Sequence, residues 1–202
     1  MSDQEYCYPP DYTVLRNKHN LTDAAELDYF EREFVTFRAT QDLPSGNFDL
    51  NHLCAIHRHL FQDVYDWAGE IRIVEIAKGG TQFQPLRYIE MGMADVHRRI
   101  TGNDYLRGLT AGAFADRAAE IVGDINHAHP FREGNGRTQL YFYKLLAQRA
   151  GHDVDLTRLK QAEWMSASRA AHLGDYEPMA RCLRATLPER ERAHARSRTR
   201  RR

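Results

Sequence analysis

The stretch HPFREGNGRTQL, residues 129–140, contains residue types that together could transfer a phosphate-containing group. His129 supplies an imidazole whose ordinary pKa lies near neutrality, so it can accept a proton from a hydroxyl nucleophile. Glu133 supplies a hard oxygen ligand of the kind that Mg²⁺ uses while it is also held by substrate phosphates. Arg137 supplies a planar guanidinium suited to phosphate. The three side chains would serve attack by a hydroxyl on a nucleotide phosphate, a reaction that depends mainly on positioning and charge neutralisation.

The backbone around these side chains has the composition of an anion-binding turn. His129 precedes Pro130, and a residue before proline is displaced from the right-handed helical region, so the preceding helix is expected to end here. Gly134-Asn135-Gly136 follows, and a new helix is predicted to begin near the arginine. Glycines allow N–H groups to face an anion, and the first turn of a helix adds unpaired N–H groups. Each part alone is more often structural, but their order on a helix–loop–helix favours a phosphate site.

Helical periodicity dominates the rest of the chain. Apolar residues recur three or four positions apart in seven segments that we predict to be helices: 21–40, 50–69, 88–100, 113–129, 137–151, 157–171 and 175–186. Thr22 is a plausible N-cap for the first helix. Its apolar stripe is predicted to consist of Leu27, Phe30, Phe34 and Phe37.

Residues 71–84 have a different pattern. Ile71, Ile73 and Phe83 lie in short β-prone runs around a Gly-Gly pair, which predicts a hairpin or an extended flap. A single hairpin is only marginally stable, so it must pack on the helical body. The chain shows no internal repeat and no second core. The sequence therefore predicts an all-α domain with one β-hairpin.

The composition excludes several classes of protein. A chain of 202 residues with 42% hydrophobic and 28% charged residues is an ordinary globular protein with one sizeable core. No stretch approaches the ~20 apolar residues of a membrane-spanning helix. The first residues lack a basic region followed by an apolar one, so no secretory signal is expected. The three cysteines form no CxxC pair and are expected to be reduced thiols, as in a cytoplasmic protein.

The net charge of zero conceals a basic tail. Residues 190–202, RERAHARSRTRRR, carry seven arginines and one glutamate, a local charge of 7 − 1 = +6, so the rest of the chain sits near −6. Such a block is usually a solvated, disordered segment. Contact with nucleic acid, an acidic surface or an export receptor is the alternative. The arginines are not interleaved with aromatic residues, which makes a nucleic-acid partner less favoured.

The loop resembles the signature HxFx[D/E]GNGRxxR of the Fic (filamentation induced by cAMP) family. Upstream, YPPDYTVLRNKHNL and LFQDVYDWAGEIR are similar to segments of bacterial Fic toxins and related secreted effectors. The resemblance covers roughly residues 6–185. It implies a Fic domain over residues 1–188, with its core at about 50–185, and an arginine-rich tail at 189–202. Seven signature positions match: His129, Phe131, Glu133, Gly134, Asn135, Gly136 and Arg137.

The resemblance implies an all-α Fic fold, a helical bundle with one β-hairpin flap next to the active-site loop at residues 129–137. It also implies protein adenylyltransferase activity. In that reaction AMP moves from ATP to a Ser, Thr or Tyr hydroxyl of a target protein, and pyrophosphate is released. Phe131 would be buried and would hold the loop. The implied roles are general base for His129, Mg²⁺ ligand for Glu133, binding of the phosphates nearest the adenosine for Gly134, Asn135 and Gly136, and contact with the leaving phosphates for Arg137.

The resemblance also implies partners. The hairpin at about residues 73–84 is similar to the family's flap, which clamps a target protein by strand-like pairing. The family's inhibitory motif, [S/T]xxxE[G/N], has only near-matches here, such as TDAAEL at 22–27. Family logic then implies a separate small antitoxin. The expected location is the bacterial cytoplasm, with delivery into a host cell as an alternative.

Leu140 departs from the family signature, which has a second arginine at this position. That arginine contacts the terminal phosphate and, in inhibited members, pairs with the inhibitory glutamate. Leucine can do neither. A charged hydrogen bond to phosphate contributes about 1.5–3 kcal/mol, so the sequence predicts a transfer activity that is attenuated but not abolished.

Three alternatives remain open at this point. The transferred group could be UMP, phosphocholine or phosphate itself. The chain could instead be a degenerate Fic-fold binding module whose working surface is the basic tail. A metal site formed by Asp124, His127 and His129 is disfavoured, because two histidines that are two positions apart do not share a helix face.

Overall fold

The computed structural model describes residues 4–78 and 80–188, and the arginine-rich tail at 189–202 lies outside the described residues. The described part of the chain is mainly helical. None of its helices combines the length and the apolarity needed to cross a bilayer. Its α-helices are α1 (Ala24–Ala39), α2 (Leu50–Phe61), α3 (Ile89–Gly102), α4 (Ala111–Ala128), α5 (Asn135–Ala150), α6 (Gln161–His172) and α7 (Glu177–Thr186), with 3₁₀ turns at Leu86–Tyr88, Asp104–Leu106 and Leu156–Arg158.

The helix α4 lies at the centre of the core and ends at the candidate site. It packs against α3, α5, α6 and α7. Alanines on its buried faces let the neighbouring helices approach closely, and Gly123 lies against α7, where an added Cβ would meet the Tyr176 ring at 2.6 Å. The apolar spacing in the sequence predicts a stripe on this helix, and all of its residues are buried: Phe114, Ala118, Ile121, Val122 and Ile125. Packing on several sides fixes the position of the residue that follows α4.

The helical prediction is confirmed, with corrections to two helices, first α1 and then α2. The N-cap of α1 is Asp23, whose carboxylate accepts the N–H groups of Ala25 and Glu26, so the assignment to Thr22 was wrong by one residue. The buried face of α1 consists of Leu27, Glu31 and Val35, whereas Phe37 is 59% exposed.

The second correction concerns α2, which ends at Phe61 and not at Gly69. The N–H of Gly69 donates to Nδ1 of His57 at 2.8 Å, which brings the chain back across the helix. Gly69 has a φ of 89°, and an added Cβ would lie 2.8 Å from Arg58. The chain therefore turns at this glycine to return to α2, and does not extend the helix to it.

The region of the predicted hairpin contains very little sheet. Two strands, β1 (Ala77–Lys78) and β2 (Thr81–Gln82), pair antiparallel, with Ala77 opposite Gln82 and Lys78 opposite Thr81. Ile71, Ile73 and Phe83 lie outside these strands. In the described residues the extended hairpin is thus limited to a four-residue ladder, and the segments on either side are held by contacts to α4 and its loop.

Candidate active site

The loop between α4 and α5, residues 129–134, reverses the chain through two left-handed residues. His129 is the C-cap of α4 with φ 44° and ψ 59°, and its N–H donates to the carbonyl of Ile125 at 3.0 Å. Gly134 is the N-cap of α5 with φ 80°. A left-handed non-glycine residue is uncommon and costs about 1–2 kcal/mol, so the surrounding structure must hold His129 in this conformation.

Asn135 and Phe131 close the loop on itself. The Asn135 amide donates to the Phe131 carbonyl at 2.7 Å and accepts the Phe131 N–H at 3.0 Å. Both residues are buried, at 4% and 1% exposure. The predicted burial of Phe131 is confirmed, and the side chain of Asn135 is committed to the loop.

His57, on α2, contacts the loop by a hydrogen bond and by ring stacking. Its Nδ1 accepts the N–H of Gly69, so the proton sits on Nε2, which donates to the Glu133 carbonyl at 3.0 Å. Its ring stacks on Phe131 with 3.9 Å between the centroids. The pKa of His57 is lowered to about 4, mainly by burial; the hydrogen bond to the Glu133 carbonyl opposes this shift and the nearby charge of Arg137 adds to it. His57 is therefore neutral at physiological pH.

Arg72 connects the loop to the segment that carries β1 and β2. It is 2% exposed, and its Nε donates to the His129 carbonyl at 2.8 Å while Nη2 donates to the Gln84 carbonyl. Its backbone N–H donates to the Pro130 carbonyl at 2.8 Å, and the Gln84 N–H donates to the His127 carbonyl at 3.0 Å. Burial lowers the pKa of Arg72, an effect that its neighbour Glu75 opposes. The carbonyls of His127, His129 and Pro130 thus accept hydrogen bonds from this segment.

The imidazole of His129 has a defined tautomer. Its Nδ1 lies 3.1 Å from the carbonyl oxygen of Asn126. A carbonyl only accepts, so Nδ1 carries the proton and Nε2 of the neutral ring carries the lone pair. Phe83 stacks on the ring, with 3.6 Å between the centroids and 16° between the planes. The ring is therefore oriented from both sides, with Nε2 in the form that accepts a proton.

The N-terminus of α5 has the features of an anion site. No side chain caps it, in contrast to α1, α2 and α4, which are capped by Asp23, Asp49 and Thr110. The first three N–H groups of a helix have no partner within the helix. Gly136 is half-buried, and an added Cβ would find its nearest heavy atom, in Trp164, at 3.8 Å. Packing within the protein does not require glycine there, so the absent side chain leaves space for a ligand.

Glu133 and Arg137 border this N-terminus. The Glu133 side chain is 47% exposed, and its Oε1 accepts the Gly134 N–H at 2.8 Å. The Arg137 guanidinium lies 3.7 Å from the Glu133 carboxylate and 4.8 Å from the centre of the Phe61 ring. Its Nη2 also donates to Glu31 of α1, which is 6% exposed. A cation and an exposed carboxylate therefore flank the unpaired N–H groups.

The structure places all six predicted site residues in this loop and the first turn of α5: His129, Glu133, Gly134, Asn135, Gly136 and Arg137. Leu140 is half-buried against the hydrophobic core. Asp124 accepts hydrogen bonds from Arg99 and Tyr176. In the described part of the chain, no group of three His, Cys, Asp or Glu residues is arranged to hold a metal.

Four residues that support the site were not predicted from the sequence: Glu31, His57, Arg72 and Phe83, whose ring stacks on His129. An arginine between two isoleucines in a β-prone run was a usable signal for Arg72, since a charge there needs a partner. For Glu31 the available signal was its position within the apolar periodicity of α1.

Comparison with known proteins agrees with this geometry. The sequence profile of the Fic/DOC family matches residues 47–147. The chain belongs to the Fic/DOC family. A relative from Sinorhizobium fredii named "Probable protein adenylyltransferase y4lH" is 41% identical over 182 residues, which are 90% of this chain and 94% of that protein. "Protein adenylyltransferase VbhT" of Bartonella schoenbuchensis is 37% identical over 183 residues, 89% of this chain but only 38% of that longer protein.

Solved structures of Fic proteins have the same fold. The crystal structure of BepC from Bartonella tribocorum, a VirB-translocated effector with bound AMPPNP, superposes with a TM-score of 0.84 at 27% identity. The match covers 93% of this chain and 98% of BepC. The Fic domain of an effector from Bartonella quintana matches with a TM-score of 0.83 at 28% identity, over 92% of this chain and 93% of that one. The helical fold predicted from the sequence is thus a Fic fold.

Gly134, in the loop, and Gly136, in the first turn of α5, should respond differently to substitution by alanine. At Gly134 an added Cβ would lie 2.3 Å from the Phe61 ring and the φ is left-handed, whereas Gly136 has room. Urea denaturation of Gly134→Ala should show a free energy of unfolding lower by roughly 2–5 kcal/mol. Gly136→Ala should be unchanged or more stable by up to about 1 kcal/mol. Equal losses in the two variants would show that the space at Gly136 is not open.

The stability of the protein should depend on pH through His57. Its pKa is about 4 in the folded state and about 6.5 when unfolded, so the unfolded chain binds more protons between these values. The contribution of His57 to the free energy of unfolding is then fully present above pH 6.5. It falls by up to about 3 kcal/mol as the pH falls through 4. Denaturation from pH 7 to 4 should show a shallower slope for His57→Gln. His59→Gln, on the same helix, is the matched control, and equal slopes in the two variants would contradict the assignment.

Proposed function

We propose that this Fic protein is a protein adenylyltransferase that transfers AMP from ATP to a hydroxyl of a target protein. The observation that carries the proposal is a histidine with its lone pair on Nε2 on the same loop as an uncapped helix N-terminus bordered by Glu133 and Arg137. The curated relatives are named protein adenylyltransferases, and the BepC structure contains an ATP analogue, which supports ATP as the substrate. We propose a Fic domain over residues 1–188, with its core at about 50–185.

The reaction follows from the atoms that this site provides. The target's hydroxyl oxygen attacks the α-phosphorus of ATP, and its proton passes to Nε2 of His129. The new O–P bond forms as the bond between the α-phosphorus and the bridging oxygen breaks, and pyrophosphate leaves with that oxygen. The Asn126 carbonyl accepts from Nδ1–H, so it stabilises the imidazolium that forms. His129 thus acts as the general base.

Phosphate binding is assigned to the first turn of α5. Backbone N–H groups at residues 135–137 would face the phosphates nearest the adenosine, with Gly134 and Gly136 keeping side chains away from them. The Asn135 amide holds the loop through Phe131, so Asn135 would bind phosphate through its backbone. Arg137 would hold the leaving phosphates.

The residues present also fit Mg²⁺. Glu133 is an exposed carboxylate beside the phosphate site, and magnesium commonly takes one or two protein carboxylates together with phosphate oxygens and waters. Glu133 would therefore hold the ion. When bound, Mg²⁺ neutralises charge on the phosphates and orients them.

The segment at residues 73–84 is the proposed flap for the target protein. Its short β1–β2 ladder leaves backbone groups available for strand-like pairing, and Ile73 at its start is 66% exposed. Phe83 joins this segment to the His129 ring, so a target held on the flap would lie near the base. The proposal also includes a separate small antitoxin and action in the bacterial cytoplasm or in a host cell.

Removal of the imidazole should abolish transfer. Wild-type protein, Mg²⁺ and α-labelled ATP incubated with a bacterial lysate should label a protein band, and His129→Ala should reduce the label by at least about a hundredfold. His127→Ala, an exposed histidine two positions away, is the matched control for loss of a histidine. Label from γ-labelled ATP would indicate phosphate transfer, and label from UTP would indicate UMP transfer. If the protein binds nucleotide but transfers no label, the result would favour the interpretation as a binding module.

Restoring the signature arginine should strengthen the site. Leu140→Arg adds a donor for the terminal phosphate, and the half-buried position of Leu140 leaves an exit for a long polar side chain. We expect roughly a tenfold to hundredfold increase in kcat/KM for ATP. Leu140→Met controls for repacking at this position. An unchanged kcat/KM in the arginine variant would show that the terminal phosphate does not lie beside residue 140.

A further inference from the structure

We propose that Glu31 of α1 is a positioning residue for Arg137, and that through it α1 sets the affinity of the site for the leaving phosphates. The proposal rests on the proposed function, because it assigns Arg137 to those phosphates. Glu31 and Arg137 are 106 positions apart in the chain and form a hydrogen-bonded ion pair. A carboxylate from outside the catalytic loop therefore determines where the guanidinium lies.

The position of Glu31 within α1 is unusual for a charged residue. It lies on the buried face with Leu27 and Val35, and only 8% of its side chain is exposed. Burying a carboxylate is costly unless it is paired and hydrogen-bonded. A leucine at this position would continue the apolar face of the helix, so core packing alone does not account for a glutamate.

Both oxygens of Glu31 are committed. Oε1 accepts from Nη2 of Arg137, and Oε2 accepts from the hydroxyl of Tyr65, which is 1% exposed. Burial and the Glu31 charge raise the pKa of Tyr65, so its hydroxyl keeps the proton that it donates. Tyr65 thus holds the carboxylate, and the carboxylate holds one edge of the guanidinium.

The guanidinium is held on a second side by a ring. Its central carbon lies 4.8 Å from the centre of the Phe61 ring, and 31% of the side chain remains exposed. A guanidinium has five N–H donors in a fixed fork, so a carboxylate on one edge leaves donors on the others for phosphate. The Glu31 bond and the Phe61 contact together restrict rotation of Arg137 before any ligand binds. Such preorganisation strengthens binding without adding a contact.

Because residue 140 is a leucine, phosphate binding depends more strongly on the Glu31–Arg137 pair. With leucine at residue 140, Arg137 is the one arginine at the two arginine positions of the loop signature. Misplacement of Arg137 therefore removes the signature's remaining cationic contact with the leaving phosphates. The contact acts on phosphates that ATP has and AMP lacks, so loss of Glu31 should weaken ATP binding and leave AMP binding intact.

The test compares Glu31→Gln with Glu33→Gln, an identical change at an exposed position two residues further along α1. Binding of ATP and of AMP, each with Mg²⁺, is measured by calorimetry on the full chain, after thermal unfolding has established the folded fraction. Glu31→Gln should weaken ATP binding about tenfold, the lower end for one hydrogen bond to a charged group, and change AMP binding less than twofold. Glu33→Gln should match the wild type. Equal weakening of ATP and AMP would mean a general structural role and would overturn the proposal.

A double-mutant cycle shows whether Glu31 acts through the arginine. In an Arg137→Ala background, Glu31→Gln should have no further effect on ATP affinity, and an undiminished effect would overturn the proposal. Tyr65→Phe should reduce ATP affinity in the same direction by a smaller factor, because the carboxylate loses its second anchor. Transfer kinetics separate the two hypotheses. If the wild type transfers AMP and the Glu31→Gln variant has unchanged transfer kinetics, this inference alone is contradicted. If the wild type binds no nucleotide, the proposed function is contradicted.

Discussion

The site depends on the hydrogen bonds that hold residues 129–134 in one conformation between two packed helices. The loop begins and ends with left-handed residues, and its carbonyls at 129, 131 and 133 accept from Arg72, Asn135 and His57. A buried carbonyl without a partner costs about 1–3 kcal/mol, so each of these donors holds the backbone in place. The imidazole and the N–H groups of α5 are thereby positioned before substrate arrives, which is what electrostatic catalysis requires.

Two charged residues are buried around this loop, and each supports a different part of the site. Arg72 joins the end of α4 to the segment that carries β1 and β2, so the proposed docking flap and the histidine are held by one side chain. Glu31 joins α1 to Arg137 in the first turn of α5. Buried ion pairs contribute little net stability compared with apolar packing. Their presence here is better explained by the positions they enforce than by the stability they add.

Much of the fold and the chemistry was predictable from the sequence. The stripe on α4 and the start and end of α5 follow from apolar spacing, a proline and two glycines, which act within a few residues. The prediction for α1 was wrong where it relied on the same rule. Phe30 and Phe34 are only partly buried and stack with His19, and the buried face of α1 carries Glu31. Periodicity identifies an apolar stripe, but it cannot tell which side of that stripe faces the core.

The sequence by itself determined which groups we propose to react, their order along the loop and the helix that begins after Gly134, because these depend on local backbone chemistry. Tertiary structure decided the neutral state of His57 and the partners of Arg72 and Arg137. Those contacts join residues 57, 76 and 106 positions apart. A pairing across such separations depends on how whole helices pack, and local spacing does not encode it.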